Sequence, residues 1–187
     1  PVGDSFLLFY ASGVVPLLFF SALSSSLSQA VAANKGLLAY PIVSVLDVVV
    51  ARSLLELITY VTVFGVIVAV IVTVDEVHLH LDVLVIFLGL GFACLFGVAI
   101  GMANCILFLF IPVWRSIWRI ITRPLLIISG VIFTYHDMPP EVRDWLWYNP
   151  LLQIVGLVRA GLYESYDASY VSVPYIVAVC LVLISIS

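Results

Sequence analysis

The stretch of residues 83–113 constrains this chain most, because it carries no charged side chain over about thirty residues, and a membrane-spanning helix needs only about 20. Hydrophobic residues make up 64% of the chain and charged residues 10%, which is too apolar for a soluble domain. Backbone polar groups in hydrocarbon must bond within a helix or a closed barrel, and barrel strands have only about 10 residues. The sequence therefore predicts an all-α polytopic membrane protein with a single transmembrane domain.

Five segments are candidates for membrane crossings. They cover residues 6–33, 42–74, 83–113 and 120–135, and a last one begins near Val171. Residues 139–163 contain an apolar stretch that is too short to span and that carries Arg159, so we predict a re-entrant helical hairpin at the outer face. The chain lacks an initiator Met and stops inside an apolar run, so we expect a fragment at both ends.

Basic residues indicate the orientation of the crossings. Five of the seven basic residues follow the first or the third crossing, namely Lys35, Arg52, Arg115, Arg119 and Arg123. Cytoplasmic loops are enriched in Lys and Arg, so these turns are predicted to be cytoplasmic and the acidic loops to face outside.

Residues 42–74 are too long for the hydrocarbon core, since they reach about 50 Å as a helix and the core is about 30 Å thick. The uncharged stretch 57–74 matches the core, which leaves Asp47, Arg52 and Glu56 at the cytoplasmic interface. Arg52 and Glu56 are four residues apart on one helix face, so we predict an anchoring ion pair between them.

The sequence NKGLLAYP at residues 34–41 predicts a compact cytoplasmic turn. It offers a polar start, one helical turn and Pro41 to end that turn. The turn would expose Leu37, Leu38 and Tyr40, and large apolar side chains exposed together mark a contact surface. Two interpretations stay open: the turn docks on a partner protein, or these side chains rest on the lipid interface.

The sequence WRSIWRIITR at residues 114–123 predicts a cytoplasmic interfacial helix. Arg115, Arg119 and Arg123 follow at steps of four on one stripe, beside a stripe with two tryptophans. Guanidinium groups at this depth face lipid phosphates or water, which explains them as membrane anchors. A further hypothesis is that they attract the anionic headgroup of a lipid-linked substrate.

Small hydroxyl side chains form a serine face on the first crossing, which consists of Ser21, Ser24, Ser25 and Ser28. Small residues let helices approach closely, so helix packing explains this face, and the alternative is the wall of a translocation path. Aromatic rings can stack on sugars, although membrane interfaces collect aromatic residues too. The candidate path residues are Tyr10, Ser21, Ser25, Ser28, Phe133 and Tyr135.

Several chemistries find no support in the sequence. The phosphate-loop pattern GxxxxGK[ST] is absent, and the lone lysine lies in NKG, so the chain is not expected to bind ATP in that manner. His78 and His80 lack an assignable third ligand, so no metal site is predicted. The three cysteines lie in apolar runs and indicate no disulfide.

Two blocks of sequence carry a family resemblance: AANKGLLAYP continuing through ARSLLE, and YNPLLQIVGLVRAGLY. Neither block is a short pattern that chance easily supplies, and the likeness extends over nearly the whole chain. The chain resembles the permease subunits of type-2 ABC exporters for capsular polysaccharide, the KpsM, BexB and CtrC type, which are related to the O-antigen exporter Wzm.

The resemblance implies a fold and a set of partners. Such permeases have six crossings, so about five would be visible here, without the amino-terminal interface helix and first crossing and with a truncated last one. They work as homodimers with two copies of a separate ATPase that holds ATP and Mg, and the permease itself binds no cofactor. They export lipid-linked polysaccharide across the bacterial inner membrane, and in Gram-negative members a periplasmic adaptor and an outer-membrane channel extend the route.

The resemblance also implies site residues. It places an ATPase-coupling helix at residues 34–41, with the residues Asn34, Lys35, Leu37, Leu38, Tyr40 and Pro41. It places an outer gate at the predicted hairpin, with the candidates Arg143, Trp145, Trp147, Tyr148, Arg159 and Tyr163.

Two other protein classes stay open as alternatives. A secondary transporter would show repeated halves and an ionisable residue near the midplane of a crossing, where this chain has little beyond Asn104. A membrane-embedded enzyme acting on lipid-linked sugars would need a convergent acid, base or metal set, which Asp47, Glu56 and Asp144 do not supply. We therefore expect a transport subunit and not an enzyme.

Overall fold

The computed structural model describes residues 6–40, 42–75 and 81–186, and all regular elements within these ranges are helices. In chain order they are α1 (Phe6–Ser28), α2 (Ala30–Ala33), α3 (Lys35–Leu38), α4 (Val45–Asp75), α5 (Val83–Phe110), α6 (Trp114–Thr122), α7 (Leu125–Ile128), a 3-10 turn (Tyr135–Asp137), α8 (Pro140–Leu146), α9 (Pro150–Leu162) and α10 (Val173–Ile186). Helices α1, α4 and α5 are long and apolar enough to cross a membrane. The prediction of an all-α polytopic membrane protein is confirmed at this level.

Helix α1 ends earlier than predicted, at Ser28. The hydroxyl of Ser24 donates to the carbonyl oxygen of Ser21 at 3.3 Å, and that of Ser28 donates to Ser25 at 2.8 Å. Hydroxyl groups that bond to nearby carbonyls compete with the helical amides. The serine face therefore weakens the helix where it stops.

Helix α4 begins later than predicted, at Val45, because Ser44 and Asp47 cap it. Asp47 Oδ2 accepts hydrogen bonds from Ser44 N and Oγ, both at 2.8 Å, and Asp47 N donates to Ser44 Oγ at 3.2 Å. This reciprocal arrangement is a capping box. The predicted ion pair is wrong: in the part of the chain that the structure describes, Arg52 and Glu56 form none. Arg52 is exposed, and solvent screens the attraction within exposed pairs.

The prediction of a helical crossing at residues 120–135 is wrong in its form. Helix α6 ends at Thr122, α7 is a single turn, and the chain leaves helical conformation at Gly130, whose φ of 70° lies in the left-handed region. Pro124 between the two helices has no N–H to donate to an α6 carbonyl. This part of the chain therefore consists of short helices separated by breaks. Residues 139–163 fold as the helix pair α8 and α9, whose re-entrant position stays a prediction.

Helices α1 and α5 form the centre of the fold, and small residues on α5 let them approach closely. The small-residue stripe consists of Gly89, Ala93, Gly97 and Gly101, which recur at steps of four and are all buried. A Cβ atom at Gly101 would lie 2.7 Å from Leu27 Cβ and 3.3 Å from the Ser24 carbonyl oxygen on α1. The backbones of the two helices therefore meet without intervening side chains.

The other helices pack around this pair. Helix α9 covers the first part of the small-residue stripe, where a Cβ at Gly89 would lie 2.5 Å from Val158 Cγ2. Helix α4 packs on α1, with the rings of Phe19 and Tyr60 stacked at 5.1 Å between centres. Only 17% of the α4 span is buried, against 61% of the α1 span, so α4 presents apolar side chains outward, as a lipid-facing helix does.

The substitution Gly101→Ala is expected to destabilise the protein by about 1–3 kcal/mol, since its methyl group meets a rigid Cβ atom of α1. Gly91→Ala is the matched control on the same helix, because no atom lies within 4 Å of a Cβ at that position. The measurement is the Tm of the detergent-solubilised protein. A Tm for Gly101→Ala that equals or exceeds that of Gly91→Ala would contradict the close contact.

Candidate functional site

A cavity of about 500 Å³ lies between the second half of α1 and helix α6. The serine face forms one wall and the arginine stripe the other, so the structure brings together two features that the sequence predicts separately. The serine–arginine cavity is lined by Ser21, Ser24, Ser25, Ser28, Gln29, Phe108, Arg115, Trp118, Arg119, Thr122 and Arg123.

The start of α6 is anchored to α5, which turns the arginine stripe toward α1. Trp114 Nε1 donates to Asn104 Oδ1 at 2.9 Å, and Asn104 is buried in α5. Arg115 lies at the same end, with its Cζ atom 5.4 Å from the centre of the Phe108 ring. Residues at steps of four share a helix face, so the other two arginines follow along the same wall.

The serines of this wall differ in exposure. Ser24 is only 2% exposed and lies against Gly101 of the small-residue stripe. Ser21 is half-buried and Ser25 is exposed, so their side chains border the open space. Helix packing therefore explains Ser24, while Ser21 and Ser25 are available to contact a molecule in the serine–arginine cavity.

The charge of the serine–arginine cavity is positive. Three guanidinium groups face it, and among the described residues no carboxylate lines it. Guanidinium groups bind phosphate and carboxylate oxygens through paired N–H donors, and serine hydroxyls add further donors. The arrangement is suited to binding an anionic group beside hydroxyl-rich chemistry.

The NKGLLAYP turn follows α1 through two short helices. Asn34 N and Nδ2 both donate to Ala30 O, at 3.1 and 2.8 Å, which closes α2. Helix α3 then supplies one turn, with Leu38 half-buried and Tyr40 65% exposed. Outside the described residues lie the side chains of Lys35 and Leu37 and the whole of Pro41. The ATPase-coupling role of this turn stays a prediction.

The link between α8 and α9 is held by side chains that bond to backbone groups. Gln153 Nε2 donates to Trp147 O at 2.7 Å, and Gln153 Oε1 accepts from Ser172 N at 3.0 Å. Trp147 Nε1 donates to Tyr170 O at 2.9 Å. Gln153 is fully buried, and the sequence signal that could have indicated it is one amide on an otherwise apolar helix face.

The predicted gate residues differ in exposure and in their contacts. Trp145 and Tyr148 are 81% and 63% exposed, so their rings are available for contact. Arg159 and Tyr163 are buried, so their side chains contact the interior of the protein. Arg143 donates to two backbone carbonyls in the loop before α8. Their role as a gate stays a prediction.

The aromatic path candidates lie outside the serine–arginine cavity. Tyr10 stacks with Phe6 at 6.3 Å between ring centres, and Tyr135 stacks on Tyr170 at 4.2 Å. Phe133 is 50% exposed and lies in the interrupted segment after α7, which consists of residues 130–133. The structure therefore does not bring these three aromatic candidates together with the three path serines.

Two carboxylates stay ionised in the loops beside α8 and α10. A hydrogen bond from the Ser169 backbone N–H, at 2.9 Å, lowers the pKa of Asp167, which also faces His136 Nε2 at 3.4 Å. A hydrogen bond from the Thr134 hydroxyl lowers the pKa of Asp137. These loops carry negative charge, in contrast to the serine–arginine cavity.

Residues 6–40, 42–75 and 81–186 hold no group of three or more His, Cys, Asp or Glu residues that could bind a metal ion. His78 and His80 lie outside the residues that the structure describes.

Comparison with known families identifies the class of protein. The family model for the ABC-2 type transporter matches residues 4–163. The chain belongs to this family of membrane transporters.

The chain is also similar to three named proteins. It is 29% identical over 182 residues to the Polysialic acid transport protein KpsM of Escherichia coli. These residues are 97% of this chain and 70% of the length of KpsM. It is 28% identical over 177 residues to the Capsule polysaccharide export inner-membrane protein CtrC of Neisseria meningitidis serogroup B, which is 94% of this chain and 66% of the length of CtrC. It is 24% identical over 176 residues to the Capsule polysaccharide export inner-membrane protein BexB of Haemophilus influenzae, which is 94% of this chain and 66% of the length of BexB. The resemblance found in the sequence is confirmed.

Thiol labelling tests the open side of the serine–arginine cavity, in a background without the three native cysteines. A thiol introduced by Ser25→Cys is expected to react with an anionic, water-soluble reagent about tenfold faster than one introduced by Ser24→Cys, because Ser25 is exposed, Ser24 is only 2% exposed and positive charge attracts anions. Equal rates at the two neighbouring positions would contradict the cavity, and a faster reaction with a cationic reagent would contradict its charge.

Proposed function

We propose that this chain is the membrane-spanning permease subunit of an ATP-driven exporter, which moves lipid-linked capsular or related cell-surface polysaccharide across the bacterial inner membrane. The observation that carries the proposal is the serine–arginine cavity, because it pairs hydroxyl groups on one helix with three cations on another. Membership in the ABC-2 type transporter family supports transport. The names of the relatives, which specify polysialic acid transport and capsule polysaccharide export at the inner membrane, support the substrate class and the location.

The two walls would contact different parts of the substrate. Arg115, Arg119 and Arg123 would bind the anionic headgroup that links lipid to sugar, through charge-assisted hydrogen bonds. The hydroxyls of Ser21 and Ser25 can both donate to and accept from sugar hydroxyls, and they lie across the cavity from the arginines. A lipid anchor could remain in the membrane while its headgroup enters from the side.

A separate ATPase would supply the energy, and it would hold ATP and Mg. The turn at residues 34–41 would dock on this ATPase, and the exposed ring of Tyr40 supports a contact there. The ATPase can move the permease only if it binds two permease states with different affinity, because a contact equally good in both shifts nothing. The turn is joined through α2 to α1, which carries the serine wall of the cavity.

The assembly would contain two permeases and two ATPase subunits. In a Gram-negative host a periplasmic adaptor and an outer-membrane channel would continue the route. The exposed Trp145 of α8 and Tyr148 after it would offer aromatic surface at the outer end, where substrate or adaptor would arrive.

Replacing Arg115, Arg119 and Arg123 together by Gln is expected to lower export at least tenfold, since a hydrogen bond to a charged group contributes about 1.5–3 kcal/mol and 1.4 kcal/mol is a factor of ten. Surface polysaccharide on cells that lack the native permease is the measurement, with copurified ATPase as the check on assembly. The matched control replaces the same arginines by Lys, which keeps the charge and most of the export. Unchanged export in the Gln variant would contradict the headgroup site.

The substitution Leu38→Asp is expected to separate ATP hydrolysis from export, because a carboxylate desolvated in an apolar contact weakens docking of the turn. Leu38→Met is the control, since it keeps an apolar side chain of similar volume. The measurement is polysaccharide exported per ATP hydrolysed by the purified, reconstituted complex. A Leu38→Asp variant with the ratio of the Met variant would refute the coupling role of the turn.

A further inference from the structure

The largest fully buried side chain in the described part of the protein is a cation, Arg159 of α9. No carboxylate among the described residues pairs with it. Its Nη1 donates to Gly130 O at 2.7 Å and its Nη2 to Val131 O at 2.8 Å, and a longer bond of 3.5 Å joins Nη1 to Phe133 O. The charge of the guanidinium group is therefore stabilised by backbone carbonyl dipoles of the interrupted segment after α7.

Helix α1 encloses the same guanidinium from the other side. Arg159 Cζ lies 3.9 Å from the centre of the Phe9 ring, which is a cation–π contact. A Cβ atom at Gly13 would lie 2.9 Å from Arg159 Nη2 and 3.0 Å from Val131 Cα. A residue without a side chain is needed at Gly13 for the three segments to meet.

The planar guanidinium suits this junction. Carbonyl groups that leave a helix in apolar surroundings need donors, because each unsatisfied group costs several kcal/mol in hydrocarbon. The fork of Arg holds several N–H groups in fixed directions, whereas the ammonium of Lys is a compact point charge. Arg159 thus allows residues 130–133 to remain unwound.

We propose that Arg159 is a positioning residue, which ties the hairpin helix α9 to the interrupted segment so that a displacement of the hairpin reaches α6. Residues 130–133 are separated from α7 by Ser129 alone, and only Arg123 and Pro124 separate α7 from α6. The arginine wall of the serine–arginine cavity is therefore connected to the hairpin through the buried Arg159, beside a second bond that Asn149 Nδ2 donates to Ile128 O at 3.1 Å. The consequence for transport rests on the proposed function, since the position of this wall matters only if the cavity receives substrate.

Thiol labelling of the full transporter tests the junction directly. A thiol introduced by Ile132→Cys, at a position that is 45% exposed, reports on the interrupted segment. Adding Arg159→Lys is expected to raise its labelling rate at least threefold and to lower the polysaccharide exported per ATP hydrolysed by a similar factor. A residue that only stabilised the fold would lower the amount of transporter and leave this ratio unchanged.

Arg143→Lys is the matched control for labelling, because Arg143 also donates to two backbone carbonyls, those of His136 and Met138, but leaves residues 130–133 untouched. If Arg159→Lys fails to accumulate in the membrane, Gly13→Ala takes its place, since its methyl group displaces the guanidinium by contact. An accumulating variant with the wild-type labelling rate, or with an increase that Arg143→Lys reproduces, overturns the proposal. Labelling needs no substrate, so failure of the proposed function is read separately, as absent ATP-dependent export by the wild-type complex.

Discussion

The close approach of α1 and α5 along the small-residue stripe is the contact on which the rest of the structure depends. In lipid no hydrophobic force drives helices together, so association relies on packing of surfaces that fit. Because Gly101 rests against Leu27 and Ser24, the serine face of α1 is held at a defined angle to α5. Asn104, one turn further along α5, then holds α6 through Trp114. The same helix pair thereby positions both walls of the serine–arginine cavity.

Polar groups inside this apolar protein serve as connectors between elements. Gln153 joins α9 to the end of α8 and to the start of α10, and Arg159 joins α9 to the segment after α7. Each amide or guanidinium replaces hydrogen bonds that an uninterrupted helix would have made for itself. The region of α8 to α10 is consequently organised around α9, whereas the region between α1 and α6 is organised around the serine–arginine cavity. In the proposed exporter the two regions would have to respond to each other, and these connectors supply a physical link.

Much of the fold follows from simple properties of the sequence. Length and lack of charge predict α1, α4 and α5, and periodicity predicts the serine face and the arginine stripe. Their meeting in one cavity depends on contacts between distant parts of the chain, which periodicity does not contain. Hydropathy predicts one continuous crossing at residues 120–135, whereas Pro124 and Gly130 favour the break that the structure shows. The sequence also contains small residues at steps of four from Gly89 to Gly101, and this pattern indicates close helix packing. The prediction of an ion pair between Arg52 and Glu56 is wrong because a spacing of four residues does not by itself hold two solvated groups together.

A cryo-EM map of the assembled transporter with lipid-linked substrate, determined without nucleotide, would test the central claim most directly. The account predicts density for the anionic headgroup between the serine face and the arginine stripe, within hydrogen-bond distance of Arg119 and at least one neighbouring arginine. A headgroup bound elsewhere, with the serine–arginine cavity closed by side chains or filled by the second permease, would contradict it.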